Sequence, residues 1–224
     1  MYLFLRFCLS VVFRIKYKVK VMHKERIPDL KGGFIIACNH QSNLDPPMVA
    51  VFIRGKFSFI AKEELFHKNW FFTFVIKHCG AFPVARGSGD DAPIKTSVEC
   101  VQKGRIFVIF PEGTRSKDGV IGRMKSGVVL IASQANAPVL PVCLRYIKHK
   151  NKKRVMANIG EMIPAEDIRI DEADRKSMRN AAKRIGSAIT ELQKELYEAT
   201  GDPVPTKPEK SGKKETAQDG ESND

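Results

Sequence analysis

Two short runs made wholly of apolar residues, FIIAC at 34–38 and IFVIF at 106–110, constrain this chain's fold more than any other feature. Neither alternates with polar residues, so each must be covered on both faces, as strands of a parallel sheet are. The stretches around them carry helix signals. PPMVAVFIR (46–54) opens on prolines, which suit a first helical turn. DDAPIKTSVECVQKG (90–104) has an acidic start, an early proline and a closing glycine. SGVVLIASQANA (126–137) reads as a further helix, and FSFIA (57–61), VLPVCLRY (139–146) and RVMANIG (154–160) as strands. Within 172–199, Met178, Ala182, Ile185, Ile189, Leu192 and Leu196 recur at three-to-four spacing, an amphipathic helix. Short apolar strands alternating with helices predict an α/β fold: one domain with a mainly parallel central sheet flanked by helices. A chain of 224 residues, 43% hydrophobic, can build one such core.

The two ends differ from this body. MYLFLRFCLSVVF (1–13) is apolar except for Arg6 and Ser10, yet shorter than the roughly 17–25 residues of a membrane span. It lacks the basic leader and small-residue cleavage pattern of a secretory signal. It reads as an amphipathic, apolar N-terminal membrane-contact helix lying in the interface. RIKYKVKV (14–21) alternates strictly and predicts a half-buried strand with Arg14, Lys16, Lys18 and Lys20 outward. Such a row suits a protected edge strand, or an anionic membrane surface. Residues 201–224 have almost no apolar content and predict a disordered polar tail, leaving 14–200 as the domain.

The formal charge is +13. The tail has four lysines against six acids, so the first 200 residues carry +15. A body so basic attracts phosphate-bearing partners: nucleic acid, anionic lipid or a phosphorylated small substrate. Clustered basic residues with stacking aromatics, or a helix-turn-helix, would mark a nucleic-acid module, and neither occurs. Five scattered cysteines without a CxxC pair suggest neither zinc nor a disulfide framework, and a reducing cytosolic setting follows. Trp70, Phe71, Phe72 and Phe74 form an aromatic cluster suited to core, an apolar pocket or lipid.

Ligands bind beyond the carboxyl ends of parallel strands. NHQSNLDP (39–46) follows the first apolar run, and PEGTRS (111–116) the second. On a regular helix, five residues would hold His40 and Asp45 some 140° apart after a full turn. At a strand end the chain can fold back, and the carboxylate can then fix the imidazole tautomer and leave the other nitrogen free to remove a proton. Asp45 before Pro46 and Pro47 fits a helix N-cap equally well. In FPEGTRS, Gly113 permits a sharp turn, while Thr114 and Arg115 offer donors to an anion. GAFPVAR (80–86) ends in Arg86, and GRMKSG (122–127) adds Arg123 and Lys125 as phosphate contacts. The spacing of a phosphate-binding P-loop is absent. Cys38, beside Asn39, fits a buried strand residue better than a nucleophile.

The ordered set NHQSNLDP, GAFPVAR, FPEGTRS and APVLPV resembles the four blocks of the glycerophospholipid acyltransferases, from about residue 8 to 190. The nearest resemblance is to small bacterial or plastid-like members that acylate 1-acyl-glycerol 3-phosphate. The family pattern usually has an aromatic where this chain has Met124, a mild apolar change. The resemblance implies that His40 is the general base and Asp45 its orienting partner. It implies that Glu112, Gly113, Thr114 and Arg115 hold the phosphorylated acceptor, with Arg86 on the phosphate. The expected product is phosphatidic acid, made from lysophosphatidic acid and an acyl-CoA or acyl carrier protein thioester. A thioester is already activated, so no metal or other cofactor is expected. The expected place is the cytoplasmic face of a membrane, peripheral or monotopic. Open alternatives are another acceptor (glycerol 3-phosphate, a headgroup-bearing lysophospholipid or a lyso-aminolipid), a non-catalytic lipid-surface protein and, more distantly, a nucleic-acid module.

Overall fold

The first apolar run becomes β2 (Phe34–Cys38), and its side chains alternate between two cores. Ile35 and Ala37 enter one hydrophobic cluster; Phe34, Ile36 and Cys38 enter the other. Every residue of β2 is buried, as a strand covered on both faces requires. The computed structural model describes residues 2–29, 32–67, 69–78, 80–84, 91–149, 152–170 and 174–206. In chain order its strands and α-helices are α1 (Tyr2–Lys16), β1 (Tyr17–Met22), β2, α2 (Asp45–Phe52), β3 (Phe57–Lys62), α3 (Trp70–His78) and β4 (Ala81–Val84). Then come α4 (Ala92–Gln102), β5 (Ile106–Ile109), α5 (Gly127–Ala135), β6 (Val139–His149), β7 (Lys152–Ile159) and α6 (Arg175–Glu198).

The strands form one seven-stranded sheet in the order β1-β7-β6-β2-β5-β3-β4. Pairing is parallel throughout except between β6 and β7, so β1 and β7 run against the other strands. The fold is therefore α/β with a mixed, mostly parallel sheet between helical layers. Helices α4, α5 and α6 cover one face, where Val101, Val128, Ile131, Ile185, Ile189 and Leu192 meet the odd residues of β2. On the other face α2 contributes Met48, Val49 and Phe52, with Phe13 of α1 packed beside them. The longest helix, α6, starts where the Asp174 side chain accepts from the Lys176 and Ser177 amides, a side-chain N-cap.

The boundary between α1 and β1 falls later than the alternation at 14–21 suggests. Residues 14–16 are the last turn of α1, and the strand starts at Tyr17. Arg14, Ile15 and Lys16 are all exposed, so no inward face makes them a strand. The turn is held instead by the Arg14 guanidinium, which donates to the Val51 carbonyl at 3.2 Å, and by the Phe13 ring stacked on Tyr17. From Tyr17 onward the period of two holds, with Lys18 and Lys20 outward on an edge strand. The polar tail reaches the described residues only as 201–206; 207–224 lie outside them.

The start of β2 is tightly enclosed by the end of α4. A Cβ on Gly33 would lie 1.9 Å from the Val101 carbonyl oxygen and 2.9 Å from that of Arg105. Both are backbone atoms, which cannot rotate away. Gly33→Ala should therefore lower stability by about 1–3 kcal/mol, the usual cost of overpacking. The reading is a lower urea midpoint at unchanged slope; a midpoint equal to that of the unaltered protein would contradict the close approach.

Candidate active site

Because β2 and β5 are parallel neighbours, with Ala37 opposite Ile109, the chain leaves both at the same edge of the sheet. That brings the turn after Cys38 against the turn after Ile109. Asn39 fixes the first turn. Its side-chain amide donates to the Leu144 carbonyl at 3.0 Å, and its oxygen accepts the Leu144 amide at 2.7 Å. The buried Asn39 side chain thus continues the β2–β6 ladder past the end of the strand.

The next residue is His40. Its ring stacks on Phe110, centroids 4.3 Å apart and planes inclined by 23°, and its side chain is 20% exposed. Nδ1 lies 2.8 Å from Asp45 Oδ2. The same oxygen accepts the amides of Gln41 at 2.7 Å and Ser42 at 2.8 Å. Asp45 Oδ1 accepts the Tyr146 hydroxyl at 2.6 Å, and the carboxylate is wholly buried. An oxygen already accepting two amide protons can only accept from the imidazole as well. Nδ1 therefore carries the proton and donates, leaving the Nε2 lone pair as the free base.

Asp45 is not the N-cap that its place before Pro46 suggests. It is the first helical residue of α2; the cap position is Leu44, and it makes no side-chain cap bond. The carboxylate folds back onto the preceding turn because Gln41, Ser42 and His40 offer it three donors there. Residue-level reading also missed Tyr146. Nothing near it marks it, and it lies 101 positions from its partner. It reaches Asp45 because β6 continues beyond the end of β2, after Val142 pairs with Cys38. Burial first, then the charge of Asp45 and the bond to it, raise the Tyr146 phenol, so it stays protonated and donates.

Glu112 is a clamp between three segments. Oε1 accepts the His40 amide at 2.9 Å and Oε2 the Gly122 amide at 2.8 Å, and the residue is buried. The Ser116 amide adds a bond to the His40 carbonyl at 2.8 Å. Gly113 has φ +71, and a Cβ there would come within 2.6 Å of the Lys125 amine. That ammonium lies directly over the turn, with the Lys125 amide held by the Pro111 carbonyl at 2.8 Å. Thr114, Arg115, Arg123 and Lys125 are exposed around this edge. Arg86 lies outside the described residues. Burial, with the charge of Asp45 added, pushes the Cys38 thiol far up, so it offers no thiolate nucleophile. Among the described residues, no group of three or more His, Cys, Asp or Glu could hold a metal ion.

A family profile described as Acyltransferase matches residues 18–145. The 1-acyl-sn-glycerol-3-phosphate acyltransferase of Bacillus subtilis (strain 168) is 37% identical, over 88% of this chain and 98% of its own. The 1-acyl-sn-glycerol-3-phosphate acyltransferase of Salmonella typhimurium is 30% identical over 76% and 73% of the two chains. Among solved structures, the 1-acyl-sn-glycerophosphate acyltransferase PlsC of Thermotoga maritima superposes with a TM-score of 0.66 at 25% identity. That match covers 87% of this chain and 79% of the other.

The Tyr146–Asp45 bond has a measurable weight. Tyr146→Phe removes the donor to Asp45 Oδ1 without changing the ring, and a hydrogen bond to a charged group contributes about 1.5–3 kcal/mol. Urea denaturation should show a loss of that size. A variant as stable as the unaltered protein would mean that the carboxylate does not depend on the phenol.

Proposed function

The chain belongs to the acyltransferase family, and on that premise we propose that it moves a fatty acyl group from an acyl thioester to the sn-2 hydroxyl of 1-acyl-sn-glycerol 3-phosphate, giving phosphatidic acid. The observation that carries this reading is the His40–Asp45 pair, with Nδ1 bound at 2.8 Å and Nε2 left as the base. The acceptor hydroxyl attacks the thioester carbonyl while His40 Nε2 takes its proton. A C–O bond forms, the tetrahedral adduct expels the thiolate by C–S cleavage, and the imidazolium returns its proton to the sulfur. Asp45 stabilises that imidazolium and holds the ring. The thioester is already activated, so acyl-CoA or acyl carrier protein serves as co-substrate and no further cofactor is needed.

Arg115, Arg123 and Lys125, with the amide and hydroxyl of Thr114, bind the acceptor phosphate over the turn that Gly113 makes by donating its own amide to the Phe110 carbonyl, and Arg86 joins them. Three cations near one turn favour a small anionic headgroup over a neutral one. Glu112 serves the acceptor at one remove. Both its oxygens already hold backbone amides, so it fixes the turn that carries His40 and leaves the phosphate to the cations. Fixing the phosphate brings the sn-2 hydroxyl within reach of His40.

Acceptor and product are bilayer lipids, and the protein works as a monotopic enzyme on the cytoplasmic face. No helix among the described residues is long and apolar enough to cross a membrane. Supporting an interfacial mode, Phe7, Val11 and Ile15 form an exposed apolar stripe on α1 at helical spacing. Trp70 and Phe74 of α3 are exposed as well.

Purified protein in detergent should make phosphatidic acid from lysophosphatidic acid and reject glycerol 3-phosphate and neutral-headgroup lysolipids. His40→Ala should lower the rate by about 10²–10⁴-fold, the usual contribution of a general base. Activity that survives this change would sink the assignment. For the membrane reading, Phe7→Ser with Ile15→Ser should weaken binding to phosphatidylglycerol vesicles about tenfold or more, given roughly 1.5–3 kcal/mol per buried large apolar side chain. Co-sedimentation indifferent to both changes would remove α1 as the contact.

A further inference from the structure

The helical layer opposite α1 carries a second basic feature, which shares Arg123 and Lys125 with the acceptor site but whose helical row that site does not use. A groove of about 1130 Å³ runs between the segment 121–126 and α6. Arg175, Arg179 and Lys183 stand along its helical wall at intervals of four, a row spanning about 12 Å. Met178, Ala182 and Gly186 form a parallel row at the same interval, and Met124 packs onto it: a Cβ on Gly186 would meet Met124 Cγ at 2.9 Å. An exposed row of cations thus flanks a narrow apolar floor. Asp174 is engaged in capping α6, and Glu191, at the far end of the groove, is paired with Lys194 at 2.8 Å. Arg184, which does not line the groove, pairs with Asp167 at 2.6 Å. Among the described residues, no carboxylate neutralises Arg175, Arg179 or Lys183 within ion-pair distance.

The groove is anchored to the active site. Gln193 of α6 donates to the Gly119 carbonyl at 2.7 Å, fixing the helix against the loop. Gly122, on the groove wall, donates to Glu112, whose other oxygen holds the His40 amide. We propose, building on the acyl-transfer reading above, that this groove docks the carrier of the acyl group, and that the carrier is an acidic, helical acyl carrier protein. A linear row of cations beside an apolar strip matches one amphipathic acidic helix laid into a groove. A nucleotide fits less well. No aromatic side chain lines the groove to stack on a base, and the two cations on the facing wall, Arg123 and Lys125, are those assigned above to the acceptor phosphate, which leaves the helix row in line rather than converging. A lipid surface fits least, because α1 with its apolar stripe lies on the other face of the sheet.

The test is steady-state kinetics with lysophosphatidic acid and either acyl carrier protein or acyl-CoA as donor. Arg179→Glu with Lys183→Glu should raise KM for acyl carrier protein about tenfold or more, while kcat and the KM for lysophosphatidic acid hold. Circular dichroism and the melting temperature establish that the variant folds. Titration of the unaltered protein with acyl carrier protein supplies a second reading, with affinity falling steeply as salt rises. An unchanged donor KM in the variant overturns the proposal. So does an equal rise for acyl-CoA, which would assign the groove to the nucleotide, and so does a matching loss of binding to anionic vesicles. Turnover of acyl-CoA with none of acyl carrier protein also overturns the docking while leaving the reaction intact. No phosphatidic acid from either donor would instead refute the acyl-transfer reading itself.

Discussion

A carboxylate with no solvent contact must be met by donors on all sides, and that requirement at Asp45 organises the edge of the sheet around it. An uncompensated buried charge would cost several kcal/mol, enough to erase much of a domain's net stability. The donors come from three places: the Gln41 and Ser42 amides, the His40 ring and the Tyr146 hydroxyl. Each constrains a different element. The amides set the path of the turn, the imidazole sets the orientation of the base, and the phenol requires β6 to run past the end of β2. Glu112 repeats the device one turn away, with a buried carboxylate joining the His40 amide to that of Gly122. Two buried acids thus hold His40 by both its side chain and its main chain.

What the residues announced in advance follows from the range of the interactions involved. FIIAC and IFVIF declared themselves as strands because burial on both faces writes itself into consecutive residues, and both appear where expected. The histidine–aspartate contact was legible because its partners lie five positions apart at a strand end. Other features depend on contacts between distant parts of the chain. Tyr146 looks like any aromatic strand residue until β6 is laid beside β2. Glu112 sits in a motif that suggests substrate, yet both its oxygens are taken by backbone amides that only the assembled sheet brings near. Arg14, Ile15 and Lys16 mimic a strand in their alternation, and the Val51 carbonyl and the packing of Phe13 keep them helical instead. Local pattern names the pieces; the parallel register of β2 and β5 decides which pieces meet.

The two helical layers divide the surface by chemistry. In the layer with α1 and α2, α1 presents an apolar stripe to the outside alongside Arg14 and Lys16, with Phe7 66% and Ile15 82% exposed. The layer with α6 presents arginine and lysine. The sheet between them ends in the shared edge that carries His40 and Asp45. The excess of basic residues, uninformative as a total, becomes informative once it is distributed over these faces.

Asn39 has a consequence for how the turn that carries His40 can evolve. By accepting from and donating to Leu144 through its side chain, it acts as one more rung of the sheet while its own backbone is already leaving. The turn is therefore bolted to the β2–β6 ladder one residue before His40. Loops elsewhere on such a scaffold can lengthen freely, since closing a longer loop adds little entropic cost. Here an inserted residue would rotate His40 off its aspartate. The His40 turn thus has the dimensional tolerance of a strand.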